Sequence, residues 1–436
     1  MRKNRCLQLR LFTFLVCLLS LTYAKAQNVT IDGVNYYLFP DTHEAAINNK
    51  NTCSGELVIP SEVNYDGETF TVTGMSDLAF DGCELTKVRI PKTINHFVNG
   101  VLSDEPLCGS SSKRNPFQRC TALEWIEVDE DNPVMSSEGG TLYNKDKTCL
   151  YCYPAGMRQE AFVIPDNVTK ICSGAIGYNQ YLISLTIPNS VTDCGYICRN
   201  CVNLKTVRLS DHITNISAYA FEYCESLRSI EIPDGVTYMG EGVFRWCSSL
   251  ESIVLPDNIS FVGSYAFRAC TSLETVKLSS SLKRIENGMF YGCSKLKTVV
   301  ISDEVTDICP DAFQGCSSLT ELDLPTSVTT IGANAFRGCK FDHLIIRGKI
   351  EHPNRFSFEG LDTSTIIYTT ASQVEEIQKT YDGVVLPLED YTSGIRPTTY
   401  SSDNLSPAYD SLGRRLTGKP AKGIYIQNGR KYVVVK

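Results

Sequence analysis

Cysteine returns every 23 residues through the middle of this chain, at Cys201, Cys224, Cys247, Cys270, Cys293, Cys316 and Cys339. Phenylalanine keeps the same step at Phe221, Phe244, Phe267, Phe290, Phe313 and Phe336, and leucine at Leu204, Leu227, Leu250, Leu273, Leu296 and Leu319. A unit this short cannot enclose a core of its own. Its apolar face has to be covered by the unit before it and the unit after it. At ~100–200 residues per domain, the 436-residue length would suggest several globular domains. The period predicts one elongated body instead.

One unit reads CESLRSIEIPDGVTYMGEGVFRW, from Cys224 to Trp246. Its first part is a short strand with Leu227, Ile230 and Ile232 facing inward and Arg228, Ser229 and Glu231 facing out. Pro233 removes a ladder donor and ends it. Val236 and Met239 make a second inward run, Gly240 is read as a sharp bend, and the A-F-x-x-C stretch closes the coil around phenylalanine. Strands end at Ile59, Ile90, Val128, Ile164, Ile187, Leu209, Ile232, Leu255, Leu278, Ile301, Leu324 and Ile346, about twelve turns in all. At ~4.8 Å per strand that stack is roughly 55 Å long. Two gaps are wider than the period. One holds the loop SDEPLCGSSSKRNPF, and the other a hairpin excursion around Gly139-Gly140.

The expected architecture is a β-rich solenoid with covered ends, because an open end presents unpaired backbone. We divide the chain into an address segment (1–26), an N-terminal β-hairpin cap (27–80), the solenoid (81–350, with the excursion near 129–160), an α/β C-terminal cap (351–392), a polar linker (393–406) and a β-hairpin tail (407–436). The basic stretch Met1 to Arg10, the apolar run Leu11 to Leu21 and Ala24-Lys25-Ala26 read as a secretory signal peptide cut before Gln27. That run is too short to span a bilayer, which takes ~20 residues. Cys17 inside it does not read as a lipoprotein cysteine. The chain is therefore expected to be exported, with no transmembrane anchor. Residues 1–26 hold five basic and no acidic residues, and residues 393–436 hold eight against two, so the body between them stands at −19 within a total of −8. An acidic body argues against nucleic acid as a partner.

Cysteine is the most conspicuous candidate for chemistry. The ladder of seven, with Cys83 and Cys120 at the equivalent spot, reads as small apolar filling. Stacked side chains run parallel, which holds their Cβ atoms slightly too far apart for disulfides. Cys149-x-x-Cys152 and Cys198-x-x-Cys201 have the spacing of zinc half-sites, and Cys149–Cys152 that of a local disulfide; a spectator role is preferred to either. His43, His96, His212, His343 and His352 are scattered, and His43-Glu44 is not followed by the second histidine of a zinc protease helix. No G-x-S-x-G elbow, phosphate loop or dinucleotide fingerprint appears. We assign no catalytic residue, no metal and no cofactor. For partner contact, two sets stand out. The outward strand column Thr186, Arg208, Glu231, Val254, Lys277, Val300, Asp323, Ile345 mixes aliphatics with charges, which strand propensity also explains. Tyr219, Tyr223, Arg245, Trp246, Tyr265, Arg268 and Tyr291 form an aromatic and arginine cluster of the kind enriched at binding hot spots.

The 23-residue unit, with its I-P, A-F and C-x-x-L landmarks over about residues 55–390, resembles the BspA-type leucine-rich repeat. The N-terminal hairpins and the segment NPV…GGTLYNKDKTCLYCYPAG are similar to that family as well. The resemblance implies a leucine-rich-repeat-like superhelix, exported or surface-borne in anaerobic bacteria. The better-known members act as adhesins for host matrix proteins or other microbes. The family has no shared ligand residues to carry over. In the tail, Tyr409, Asp410, Gly413, Arg414 and Arg415, then Lys422, Gly423, Ile424 and Tyr425, then Gly429 and Lys436 are similar to the C-terminal sorting segments of type IX secretion. That likeness implies recognition at the outer membrane. Asn428-Gly429 is independently a two-residue hairpin signal. The expected function is non-enzymatic binding of a protein partner, a host matrix or microbial surface protein. A carbohydrate-binding or carbohydrate-processing accessory role and a structural surface spacer are the alternatives.

Overall fold

The computed structural model describes residues 26–98, 115–193, 195–353 and 355–391, together with the backbone of Ala408–Asp410, Gly423–Gln427 and Arg430–Val434. Residues 1–25 of the segment expected to be a signal peptide, most of the SDEPLCGSSSKRNPF loop and the expected polar linker lie outside these residues. The described chain is a stack of coils joined by parallel strand pairing. In the repeat region the register advances by one period per coil: Ser252 pairs Thr275, which pairs Thr298, and Asn215 pairs Tyr238, which pairs Phe261. A coil thus contributes one strand to a sheet formed by the L-x-x-V-x-L segments, Arg228–Ile232 excepted, and a two-residue strand to a second sheet formed by the V-x-x-I segments.

The third side of each coil is the A-F-x-x-C turn, and its backbone carries the ladder where no strand runs. Phe221, Phe244, Phe267 and Phe290 each donate N–H to a carbonyl of the following coil, at 3.0, 2.8, 2.9 and 2.8 Å. Inside, the rings of Phe221, Phe244, Phe267, Phe290, Phe313 and Phe336 form an unbroken stack with centroids 5.4–6.1 Å apart. Beside it run the ladder cysteines, all free thiols and all buried. They do more than fill space. Each thiol lies 3.0–3.2 Å from the carbonyl of the preceding coil, as Cys247 does with Phe221 and Cys270 with Phe244. The Phe221 carbonyl also accepts the Cys224 N–H. A small apolar side chain with one weak donor suits a buried carbonyl that has a second lone pair to satisfy.

At one coil the cysteine is replaced. Asn179 stands three residues before Leu182, the ladder position, and is fully buried. Its amide donates to the carbonyls of Pro154 and Met157, and its oxygen accepts from the N–H groups of Tyr181 and Leu182. Four bonds satisfy the amide completely, which is what a buried asparagine requires.

Several expectations need correction. Gly240 is not a bend in the left-handed region. It lies where a coil passes over its neighbour, and an added Cβ would overlap the backbone of Ala218. Gly240→Ala is expected to cost about 1–3 kcal/mol through forced overpacking, read as a lower denaturant midpoint; an unchanged midpoint would show that the coils separate freely. The first-strand sheet is interrupted at Arg228–Ile232, which carries no strand, so Glu231 is outside the ladder that joins Thr186 to Arg208 and Val254 to Val300. Ile345 keeps its register opposite Asp323 but is buried, in a sheet where Tyr391 packs on Tyr368 at 4.8 Å. The segment GELVIP (55–60), inside the span expected to be a β-hairpin cap (27–80), is not part of a hairpin. Ser54–Val58 pairs in parallel with Glu84–Ile90 and opens the stack, because its alternating inward residues meet those of the next coil. The antiparallel strands Gln27–Ile31, Val34–Phe39 and Glu44–Ile47 then lead into Glu68–Ser76. Cys149 is no spectator and does not bond Cys152. Cys149 and Cys172 are each engaged in a disulfide, whereas Cys152 is a free thiol contacted by the Asn115 amide at 3.2 Å.

At the far end Ile366–Thr369 and Val384–Pro387 extend the parallel ladder, with the helix Val374–Gln378 between them. Gln373 completes that end by exchanging both amide bonds with Ile350. Gly423–Gln427 and Arg430–Val434 pair antiparallel with Gln427 opposite Arg430, a two-residue connection, and Ala408–Asp410 adds a third strand.

Candidate partner-contact surface

Three columns run side by side along the edge where each coil closes. The first is Tyr219, Gly242, Tyr265, Gly288; the second is Glu222, Arg245, Arg268, Tyr291; the third is Tyr223, Trp246, Ala269, Gly292. All seven residues singled out from sequence fall in them. The first and third columns occupy left-handed backbone: φ is 60° at Tyr219 and Tyr223, 63° at Trp246 and 58° at Tyr265, against 57° at Gly242 and 75° at Gly292. That conformation costs a residue with a side chain about 1–2 kcal/mol, and glycine nothing. Later coils use the inexpensive choice, with Gly292, Gly315, Gly338 and Gly360 in the third column. The middle coils place large aromatics there.

The rings use the room the glycines leave. A Cβ at Gly242 would stand 2.7 Å from the Tyr219 ring, and one at Gly288 would run into the ring of Tyr265. Tyr223 and Trp246 lie parallel, 5° apart in plane and 6.0 Å between centroids. Arg268 sits over two rings, Tyr291 at 4.8 Å and Tyr265 at 5.4 Å. Arg245 is drawn the other way. It is half-buried and reaches Glu222 at 3.6 Å, while Arg199 meets the same carboxylate at 2.7 Å and lies over the Tyr219 ring at 5.7 Å. The buried Glu222 side chain is therefore clamped between two guanidinium groups, and Arg245 serves the framework more than the surface. Burial, with the Glu241 carboxylate bonded to its hydroxyl, pushes Tyr219 up to about 12, so its O–H stays a donor at any physiological pH.

Sequence reasoning missed Arg199 and Glu222, which the period places next to Arg245, and it missed a second aromatic pair. Tyr238 and Phe261 stack at 5.2 Å on the adjoining strand column, and both are exposed. Tyr238 lies three residues from Glu241, the partner of Tyr219. Trp246→Gly is expected to change stability by no more than about 1 kcal/mol. Relief of the left-handed strain offsets the lost stacking and the added chain entropy. A large drop in thermal midpoint would make the ring a structural element.

Among the described residues no three His, Cys, Asp or Glu side chains converge so as to hold a metal ion, and no helix is long and apolar enough to cross a membrane.

A model of the BspA-type leucine-rich repeat region matches residues 150–248 and 237–365, in six copies. Comparison with curated proteins returns no match. Among solved structures the chain is similar to a leucine-rich cell surface protein from Faecalibacterium prausnitzii, with 22% identity, 80% of this chain and 97% of that one covered, and a TM-score of 0.48. It is also similar to a leucine-rich repeat protein from Bacteroides ovatus, with 21% identity, coverage of 78% and 99%, and a TM-score of 0.42. The pneumococcal vaccine antigen PcpA shares 13% identity over 83% of this chain and 98% of its own, with a TM-score of 0.31.

Proposed function

The chain belongs to the BspA-type leucine-rich repeat family, and on that premise we propose that it is an exported, non-enzymatic binding protein that presents the edge around Trp246 to a protein partner on a host matrix or another microbe. One observation carries the reading: consecutive coils accept left-handed strain to hold aromatic rings where glycine would be free of cost. Asn200, Ala269, Asp311 and Asn334 hold the same conformation at equivalent positions with small side chains, so what distinguishes this patch is that large aromatic rings are carried on strained backbone in adjacent coils, and strain of that kind points to use. The chemistry favours protein over glycan. Tyr223 and Trp246 turn one face of each ring toward the other, which leaves fewer open ring faces for a sugar to stack on. Protein hot spots draw on ring rims and polar tips as well.

Export is supported by the basic, apolar and small-residue order of residues 1–26, and outer-membrane delivery by the likeness of the tail to sorting segments. Protease applied to intact cells is expected to remove the protein. Material found solely in the periplasm would end the surface reading. Purified protein is expected to bind immobilised matrix proteins or whole microbial cells, with the Tyr223→Ala, Trp246→Ala double variant at least tenfold weaker. Equal binding by a folded variant would leave the chain as a spacer.

A further inference from the structure

We propose that Cys53 and Cys83 are a two-thiol modification site that closes to a disulfide by exchange with a disulfide oxidant, fastening the first strand of the stack to the first closing turn.

Both cysteines are free, and Cys53 is the one free cysteine among the described residues that is not buried. Each stands immediately before a strand, and those strands pair in parallel from Ser54 opposite Glu84. The Glu84 N–H donates to the Cys53 carbonyl at 3.1 Å. Neighbouring strands bring such positions to about 5 Å between Cα atoms, inside the range a disulfide bridges. Both side chains pack on the inner side of the strands, Cys83 in the core and Cys53 against it. The Cys83 thiol already points at this spot, with its sulfur 3.0 Å from the Asn51 carbonyl, two residues from Cys53.

The same pitch separates the ladder cysteines, but three features set this pair apart. Ladder thiols are sealed from solvent, whereas Cys53 admits an oxidant. Ladder thiols, and Cys83 with them, are each bound to a carbonyl at 2.9–3.2 Å, whereas Cys53, the partner that meets the oxidant first, has only a loose 3.8 Å contact with the Gly33 carbonyl. The register also slips between Gly55 and Glu56, with Gly55 at φ 72°. A bulge of this kind re-aims the side chains next to it and relieves the parallel alignment that keeps ladder sulfurs apart.

In the exchange, the Cys53 thiolate attacks one sulfur of the oxidant. The oxidant S–S bond breaks, and one thiolate leaves and takes up a proton. Cys83 gives its proton to solvent and attacks the Cys53 sulfur, forming the protein disulfide and releasing the second oxidant thiol. Two protein thiols are oxidised and one external disulfide is reduced to two thiols. Burial raises both cysteines above the ordinary thiol range, so closure is faster at pH 9 than at pH 7. Ser54–Val58 is the end strand of its sheet, paired on one side only by Glu84–Ile90. The bond thus pins an edge that frays most readily.

The test uses the full chain incubated with oxidised glutathione, acid-quenched, unfolded, alkylated and digested for mass spectrometry. The expected product is a Cys53–Cys83 linked peptide, two hydrogens lighter than its separate parts, together with a higher thermal midpoint. Cys53→Ser, which folds with the ladder intact, is expected to leave Cys83 as an alkylated thiol and to show no rise. The proposal is overturned if glutathione stays on Cys53 beside an alkylated Cys83, if Cys53 links to another cysteine, or if neither thiol reacts.

Discussion

Replacing Phe267 with alanine is expected to destabilise the protein by about 3–5 kcal/mol. The ring is fully buried and stacks on Phe244 at 5.8 Å and Phe290 at 5.5 Å, so its removal opens a void facing two coils at once. Neither neighbour can collapse into it, because the backbone on either side is fixed by the Phe244-to-Ala266 and Phe267-to-Met289 hydrogen bonds. In a stacked repeat, stability is close to a sum of coil terms and nearest-neighbour interfaces. Weakening two interfaces in the middle of the array therefore also divides one cooperative unit into two. The two tryptophans, Trp125 and Trp246, report on the earlier coils and on the coil next to the lesion. With each retained singly, the Trp246 transition in Phe267→Ala is expected to fall to lower denaturant than the Trp125 transition, whereas in the parent they coincide. Phe267→Leu, which keeps most of the volume, is expected to recover more than half of the loss. A cost under 1 kcal/mol would mean that the phenyl stack is a consequence of the coil geometry and not a support for it.

What the repeat period made legible was the part of the fold that depends on sequence distance alone. Residues at a fixed step in a coil of constant pitch must be neighbours, so the Phe stack, the Cys column and the Tyr223–Trp246 pair could be written down before any coordinates. The same reasoning, carried to neighbouring columns, would have joined Glu222 to Arg245 and Tyr238 to Phe261. Neither pair repeats a single residue type down its column, and Glu222 is distinguished only by what surrounds it. Other features were hidden for physical reasons. Asn179 substitutes for a cysteine by making four hydrogen bonds where the thiol makes one, so the column continues through a residue of different chemistry. Gly240 looks in sequence like a turn residue, and only the distance to Ala218 shows that close passage of two backbones demands it. The broken strand at Arg228–Ile232 has the same hydrophobic pattern as its neighbours, and pattern does not encode pairing distance. The left-handed backbone under Tyr219, Tyr223, Trp246 and Tyr265 was foreshadowed by the glycines in the same columns, although an aromatic residue is a poor signal for that conformation.

The largest pH effect is expected on the alkaline side and comes from the thiol ladder. Cys120, Cys224, Cys247, Cys270, Cys293, Cys316 and Cys339 all have folded-state values raised above the ordinary thiol range, first of all by burial, Cys339 to about 12. In the unfolded chain the same thiols ionise normally. Below the ordinary thiol pKa both states hold their protons and the linkage costs nothing. Above it the unfolded chain releases protons that the folded chain retains, so stability falls as pH rises. One unit above the ordinary value, each thiol contributes about 1.4 kcal/mol of loss. Seven together approach 10 kcal/mol, on the order of the whole stability of a typical domain. Urea midpoints are therefore expected to hold steady from pH 6 to 8 and then to fall steeply toward pH 9.5, before the tyrosines contribute. A Cys247→Ala, Cys270→Ala variant starts less stable, because it loses two thiol donors to Phe221 and Phe244, yet its alkaline slope is expected to be shallower by about a quarter, since two fewer protons are released on unfolding. Parallel slopes in the two proteins would place the alkaline transition elsewhere and would mean that the ladder thiols exchange protons with solvent without unfolding.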